Sequence, residues 1–399
     1  MAKIDVLMVA EEMLQSRVSR KNGLTIGVPK ENLKEEKRLV LTPEAVSILT
    51  LRGHHVVIER GAGEGVGYSD VVYSEAGALV AESPKDAFAC DLVLKIDPPL
   101  PEEVALMKTR ATLFSLISLY ALSQECVNLL LKRKITAVAY DMLLDDDGEY
   151  CMRNLLDEIE GTAAVSIASH LMSNLSGGGK GVLLGGIPGM APTEVIILGA
   201  GQAGIAAARA AVGTGAAVKI FDNNINRLRN IKNILGANIF TSTFHPNVMR
   251  KAFLSADVVI GAMLCSEGVI CTPVSEDLVR GMKKGSLIID LQLRHGGCFE
   301  TTNVQIARKP ELYKVFGVMH YCKANISSLY ARTTAISFSN AFLPVLNRIG
   351  ELGGVEALLK TNRDFGSGVY LYEGQFVDEA IAAYFNKPYF DLSNLFPNA

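Results

Sequence analysis

The sequence predicts an α/β protein of two domains, each on a parallel sheet, linked by long helices with a cleft between them. Three observations predict it. Strand-like apolar runs alternate with helical ones along most of the chain. One stretch, "VIILGAGQAGIAAARAAVGTGAAVKIFD" (Val195 to Asp222), reads as strand, glycine turn, helix, strand and acid. Two long helical segments, about Leu155 to Asn174 and Ala335 to Arg348, are placed to bridge two such units. The 399 residues suffice for two domains, and 49% hydrophobic content supports a large core.

The elements follow in order. "MAKIDVLMVAEEMLQSRVSRK" is spaced as an amphipathic helix and is too charged for a secretory signal, which leaves a packing arm or an oligomer contact. "LTIGVP" (Leu24 to Pro29) is a strand. In "TPEAVSILTLRG", Thr42 caps a helix, Pro43 takes its first position and Gly53 stops it. "HHVVIER", "CDLVLKI", "ATLFSLIS" and "ITAVAYD" continue as strands, so a parallel sheet is expected in the first ~150 residues. The glycine-dense "LSGGGKGVLLGGIPGMAP" leads into the second unit, where "ANIFTS", "ADVVIGAM" and "GSLIIDL" add strands. A helix near Phe376 to Asn386 ends the chain. Residues 1–154 plus 335–399 are expected to form one discontinuous domain and 155–334 the other.

In the quoted stretch Gly199 permits a tight turn, Gly201 lets backbone approach a pyrophosphate, and Gly204 lets helix pack on strand. Gln202 and Ala203 lie at the helix start, where free N–H groups face phosphates. Asp222, about 18 residues beyond Gly204, suits a ribose 2′-hydroxyl and repels a 2′-phosphate. Arg227 nearby weighs the other way. Gly261 and Ala262, ending a later strand, complete the candidate dinucleotide site, with NAD(H) favoured over NADP(H).

A net charge of −3 without a basic tract argues against nucleic acid. No apolar run reaches ~18 residues, so no membrane span is expected. Seven scattered cysteines, none in CxxC, fit reduced thiols in a cytoplasm. Six histidines lack ligand spacing, so no metal site is expected.

Several segments carry a family resemblance. "IGVPKE", "RLVLTPEAV", "RGHHV", "GAGEGVGYSD" and "DLVLK" resemble the N-terminal domain of alanine dehydrogenases and transhydrogenase α subunits. "GKGVLLGGIPGMAP", "ADVVIGAML", "GGCFETT" and "HYCKAN" resemble alanine dehydrogenase more closely. The similarity runs from about Leu24 to Asn386. It implies a substrate domain and a Rossmann domain, with NAD(H) and a small amino or oxo acid meeting in the cleft. It also implies a homo-oligomer, hexamer or dimer. The family reaction converts L-alanine, NAD and water to pyruvate, ammonia and NADH.

By the same resemblance Arg38 matches the family's carboxylate-binding arginine, and Asn325 an active-site asparagine. Other positions depart. In "KIDPP", Lys95 matches the family's first lysine but Asp97 stands where the catalytic lysine lies. Ser118 replaces the catalytic histidine. Arg294 and His295 replace an acid and a glutamine, and Ile326 and Ser327 replace "MP". His295 is a candidate proton shuttle, with an unperturbed pKa near ~6.5. Arg294 is a candidate for a second carboxylate and Asp97 for an amine, or the two form a salt bridge. Lys95 is expected to point away from position 97 unless a loop before Pro98 loosens the strand. Tyr120, Asp141 and Arg153 read as solvated or structural, Cys298 and Cys322 as packed, and Asp290 as a turn cap. Four functions stay open. They are an alanine dehydrogenase, a dehydrogenase for another amino or oxo acid, a silent cofactor-binding homologue, and a soluble transhydrogenase-like subunit.

Overall fold

The computed structural model describes residues 23–32, 34, 36–117, 122–176, 179–236, 238–263, 274–293, 296–302 and 311–395. Two Rossmann-like sheets organise them. The first contains β1 (Thr25–Val28), β2 (His55–Glu59), β3 (Leu79–Ala81), β4 (Leu92–Leu94), β5 (Thr112–Ser115) and β6 (Thr136–Ala139). The second contains β7 (Glu194–Leu198), β8 (Ala217–Phe221), β9 (Phe240–Ser242), β10 (Val258–Gly261), β11 (Leu287–Asp290), β12 (Leu312–Val315) and β13 (Val318–Tyr321). Late in the chain β14 (Val369–Tyr372) and β15 (Gln375–Phe376) return to the first sheet.

Both sheets wind alike. The orders are β15-β14-β6-β5-β4-β1-β2-β3 and β12-β13-β11-β10-β7-β8-β9. In each, the chain starts at a central strand, runs to one edge and then returns to the other side of its start. That reversal creates a switch point, between β1 and β4 in one sheet and between β7 and β10 in the other, where ligands are usually admitted. β1 to β6 are parallel, as are β7 to β11 with β13. Near-continuous apolar runs suit strands buried on both faces.

The sheets are parallel as expected except at the edges, where β12 pairs with β13 and β14 with β6 and β15 antiparallel. The two hairpins turn at Phe316-Gly317 and Glu373-Gly374, all with positive φ, the backbone of a two-residue primed turn. The terminal helix is also shorter than expected. β15 takes Gln375–Phe376, and Asp378 caps Glu379–Tyr384 through the Ile381 N–H.

Two long helices, Cys151–Met172 and Ala331–Leu352, touch one another between the sheets. The first serves two cores. Met152 and Leu156 pack into the first domain, while Ala164, Ala168 and Met172 pack into the second. It seats on helix Gln202–Gly213 through small residues. A Cβ at Gly161 would lie 2.2 Å from the Ala203 carbonyl. Among the described residues no helix is long and apolar enough to cross a membrane.

The closeness at Gly161 predicts that Gly161→Ala forces these helices apart at a cost of about 1–3 kcal/mol, read as a lower midpoint in chemical unfolding. An unchanged midpoint would show that the contact relaxes freely.

Candidate functional site

At the switch point of the second sheet the three turn glycines have different surroundings. Gly199 has φ +103°, and a Cβ there would lie 2.2 Å from the Ala262 carbonyl. A Cβ at Gly204 would lie 1.9 Å from the Gly199 carbonyl. Gly201 is the reverse, since nothing lies within 4 Å of its added Cβ. Its backbone therefore faces the open space a pyrophosphate needs. Asp222 ends β8 and braces the turn. Its Oδ2 accepts the Ala200 N–H at 2.8 Å and its Oδ1 the Asn224 N–H at 2.7 Å. Each oxygen retains a lone pair for a hydroxyl. Arg227 Nη1 stands 3.9 Å away.

Three sequence candidates support this turn from behind rather than lining it with side chains. Ala203 is buried against the long helix at Gly161. Gly261 makes room for Cys298 and Phe299, both 2.8 Å from a Cβ placed there. Ala262 N–H donates to the Leu198 carbonyl at 2.7 Å. Gln202, half-buried, opens the helix. Gln292 carried no sequence signal. It lies just beyond β11, is buried, and among the described residues its Oε1 has no hydrogen-bond partner, an acceptor that is costly to leave unsatisfied.

The first sheet's switch point is closed by charge. Lys95 Nζ lies 2.9 Å from Glu31 and 3.0 Å from Glu103. Glu31 also accepts the Ile96 N–H at 2.6 Å. Burial pushes the Glu31 carboxyl up to about 7, against the pull of Lys95 and that N–H. Burial alone would lower Lys95, but its two carboxylates lift it above the ordinary lysine range. Lys95 is therefore charged but spent on structure. β4 ends at Leu94, so Lys95 and Asp97 both lie in the loop before Pro98 expected to loosen the strand rule, and Asp97 acts electrostatically on Glu31 and also on Arg38. Asp97 itself is half-buried.

Arg38 is the centre of a buried polar network. Only 1% exposed, it forks onto Glu36, with Nε at 2.8 Å and Nη2 at 2.5 Å. Burial would depress its pKa, and Glu36 more than reverses that. Nη1 donates to Ser327 Oγ at 2.9 Å, and Ser327 Oγ donates to Glu160 Oε1 at 2.8 Å. Asn325 Nδ2 reaches to 3.5 Å from Glu36 Oε2. A continuous chain thus joins the loop after β1, the long helix and the turn before Ala331–Leu352. Sequence reasoning marked Arg38 and Asn325 but not Glu36 or Glu160, because the partners sit on segments far apart in the chain.

Other candidates resolve simply. Asp141 accepts the Ile117 N–H at 3.1 Å. Arg153 lies over the Tyr150 ring at 4.4 Å. Asp290 accepts N–H groups of Gln292 and Cys298 and the Thr302 hydroxyl. Cys298 is buried and Cys322 half-buried. Ser118, Tyr120, Arg294 and His295 lie outside the described residues. Among the described residues no cluster could hold a metal ion.

The Lys95 triad generates a stability prediction. Lys95→Met leaves two carboxylates without their cation and costs about 3–5 kcal/mol in chemical unfolding. Glu31 has its pKa raised on folding, so the folded state holds a proton that the unfolded chain releases. Stability therefore falls as pH rises from the ordinary glutamate value, near ~4.3, towards about 7. Lys95 works at the other end, and its contribution is lost only above the ordinary lysine value. Glu31→Gln should flatten the acid-side slope, and an unaltered slope would refute the assignment.

The comparisons with known proteins agree with this geometry. The model of the alanine dehydrogenase/PNT N-terminal domain matches residues 27–155, and that of the C-terminal domain residues 164–379. An alanine dehydrogenase of Mycolicibacterium smegmatis is 34% identical over 370 residues, 92% of this chain and 98% of that protein. One from Staphylococcus saprophyticus is 33% identical over 371 residues, 93% and 99% of the two chains. A solved L-alanine dehydrogenase superposes with TM-score 0.83 at 34% identity, covering 91% of this chain and 99% of its own. A Sinorhizobium meliloti transhydrogenase shares the fold, with TM-score 0.74 at 20% identity over 89% of this chain and 99% of its own. With both halves matched in order and the switch-point turn intact, the chain belongs to the alanine dehydrogenase/PNT family.

Proposed function

We propose that the protein is an NAD(H)-dependent amino-acid dehydrogenase that interconverts a small L-amino acid and its 2-oxo acid, with L-alanine and pyruvate the first pair to test. The observation that carries the reading is Arg38. A guanidinium has five N–H donors, and Glu36 and Ser327 occupy three. Among the described residues that leaves two donors in the guanidinium plane, which would suit a carboxylate, the partner for which arginine is most selective. Asn325 approaches the same place from the cofactor side.

The residues present fit a dinucleotide. Gly201 offers open backbone to the pyrophosphate, Asp222 offers acceptors to a ribose, and the Gln292 Oε1 offers an acceptor to an amide N–H. The cofactor, when bound, supplies and accepts the hydride. The chain's own work is to fix the carboxylate, exclude water around buried Glu36 and Arg38, and move protons. Asp97 sits close enough to act on Arg38, so it competes with a substrate carboxylate. That observation favours testing amino acids with a second amine alongside alanine. A cytoplasmic homo-oligomer belongs to the same reading, supported by free cysteines at 90, 126, 151, 298 and 322 and by the family.

Saturable NADH fluorescence with NADH oxidation on adding ammonium and pyruvate, or another 2-oxo acid, is the expected result. Binding without oxidation on any acid tested would leave a silent cofactor-binding homologue. Asp222→Ala removes a charged acceptor worth about 1.5–3 kcal/mol. It should weaken NADH binding roughly ten- to a hundredfold while narrowing the preference over NADPH. An unchanged titration would remove Asp222 from the site.

A further inference from the structure

Reductive amination needs a group that takes a proton from ammonium and later gives one to the departing hydroxyl. Lys95 is committed to Glu31 and Glu103, and Asp290 to the turn after β11. The long helix Cys151–Met172 carries an unused pair. Asp157 and Glu160 are three residues apart and so share a helix face, while Met152 and Leu156 turn into the core. Glu160 is tied to the cleft through Ser327 and hence to Arg38. Asp157 is half-buried. Asp141 acts on it from the 3₁₀ turn after β6, and Asp141 holds the Ile117 N–H at the carboxyl end of β5. The helix itself packs against the turn Tyr140–Met142 after β6 and against the turn Ile326–Tyr330 that carries Ser327, so Asp157 lies on the stretch of helix between the end of β6 and the Glu160–Ser327–Arg38 chain.

We propose that Asp157 is the proton donor and acceptor of the cleft, with Glu160 as the positioning residue that couples it to Arg38. The assignment rests on the dehydrogenase reading above. Burial, then Glu160 and Asp141, raise the Asp157 carboxyl to about 7 against Arg153. A carboxyl titrating there exchanges protons near neutrality, and two carboxylates held in different environments divide the acid and base roles.

The steps balance. Ammonium gives a proton to the Asp157 carboxylate, and the freed nitrogen pair forms the C–N bond at the oxo carbon. The carbonyl π pair moves to oxygen, which takes a proton released by the nitrogen. The Asp157 proton then goes to that hydroxyl, the C–O bond breaks, water leaves and an iminium remains. The dinucleotide, when bound, would supply the hydride that takes the iminium to the amine and would leave oxidised, and the product amine takes a proton from solvent. Over the cycle Asp157 is unchanged.

The test compares wild type, Asp157→Asn, Asp157→Glu and Glu160→Gln, each first shown to fold and to bind NADH with wild-type affinity. The expected result for Asp157→Asn is a fall in kcat of about 10²–10⁴-fold, with loss of the pH-profile limb near neutrality. Asp157→Glu should restore part of the rate with a shifted limb. Glu160→Gln should move the limb to lower pH. Independently of turnover, Asp157→Asn should reduce the loss of folding stability between pH 4 and about 7. Should Asp157→Asn keep its rate within about threefold and its pH profile unchanged, the proposal falls while the dehydrogenase reading stands. If wild type binds NADH and reduces no oxo acid, both fall.

Discussion

Between Gly161 and the Ala203 carbonyl there is no room for a methyl group, and the position of the cleft depends on that contact. The helix leaves the first sheet after the turn at Tyr140–Met142, passes the turn at Ile326–Tyr330, and then seats on the helix that begins beside Gly201. One small-residue seam thereby fixes the distance from the preceding residue, Glu160, to the open face of the dinucleotide turn. A cleft built from two independently folded sheets would otherwise have a soft spacing, and hydride transfer tolerates little misplacement.

The two sheets have the same winding but use their switch points differently. In the second sheet small residues keep the point open, with Gly199 and Gly204 filled by backbone and Gly201 by nothing. In the first, Lys95, Glu31 and Glu103 occupy it. Buried ion pairs add little net stability because desolvation offsets their attraction, yet they are costly to break. Here the triad orders the loop after β1, the loop that goes on to carry Glu36 and Arg38. The charged plug in one domain thus holds in place the arginine that faces the other.

Legibility followed the range of the signal. The glycine turn, Asp222 and most central strands are local patterns, and they were readable. The hairpins β12–β13 and β14–β15 were not, because Phe316 and Glu373 take left-handed positions where Asn or Asp is the usual signal. What packs behind Ala203 and Gly261 was not readable, since a motif gives backbone position but not the long helix or the Cys298 and Phe299 side chains that close on it. Glu36 looked like one charge in the run "NLKEEKR". Its burial depends on Arg38, Ser327 and Asn325, and no periodicity in one segment announces a partner some 290 residues away.

The charge balance around Arg38 then constrains the chemistry. Glu36 pairs with it directly, while Asp97 and Glu160 act on it from nearby, and Asp157 stands beside Glu160. Burial, together with Glu160 and Asp141, raises the Asp157 carboxyl to about 7 against Arg153. In the proposed reaction the remaining negative charge would face the entering ammonium and the developing iminium, and fixed charge opposite a developing charge is the strongest lever a cleft has. A lysine at position 97 would place positive charge beside that nitrogen. Aspartate there reverses the sign, and in the proposed reaction Arg38 keeps the carboxylate role. On that proposal the cleft is polarised for the nitrogen as well as for the carboxylate, and the proton is carried by Asp157 on the helix rather than by position 97 after the strand.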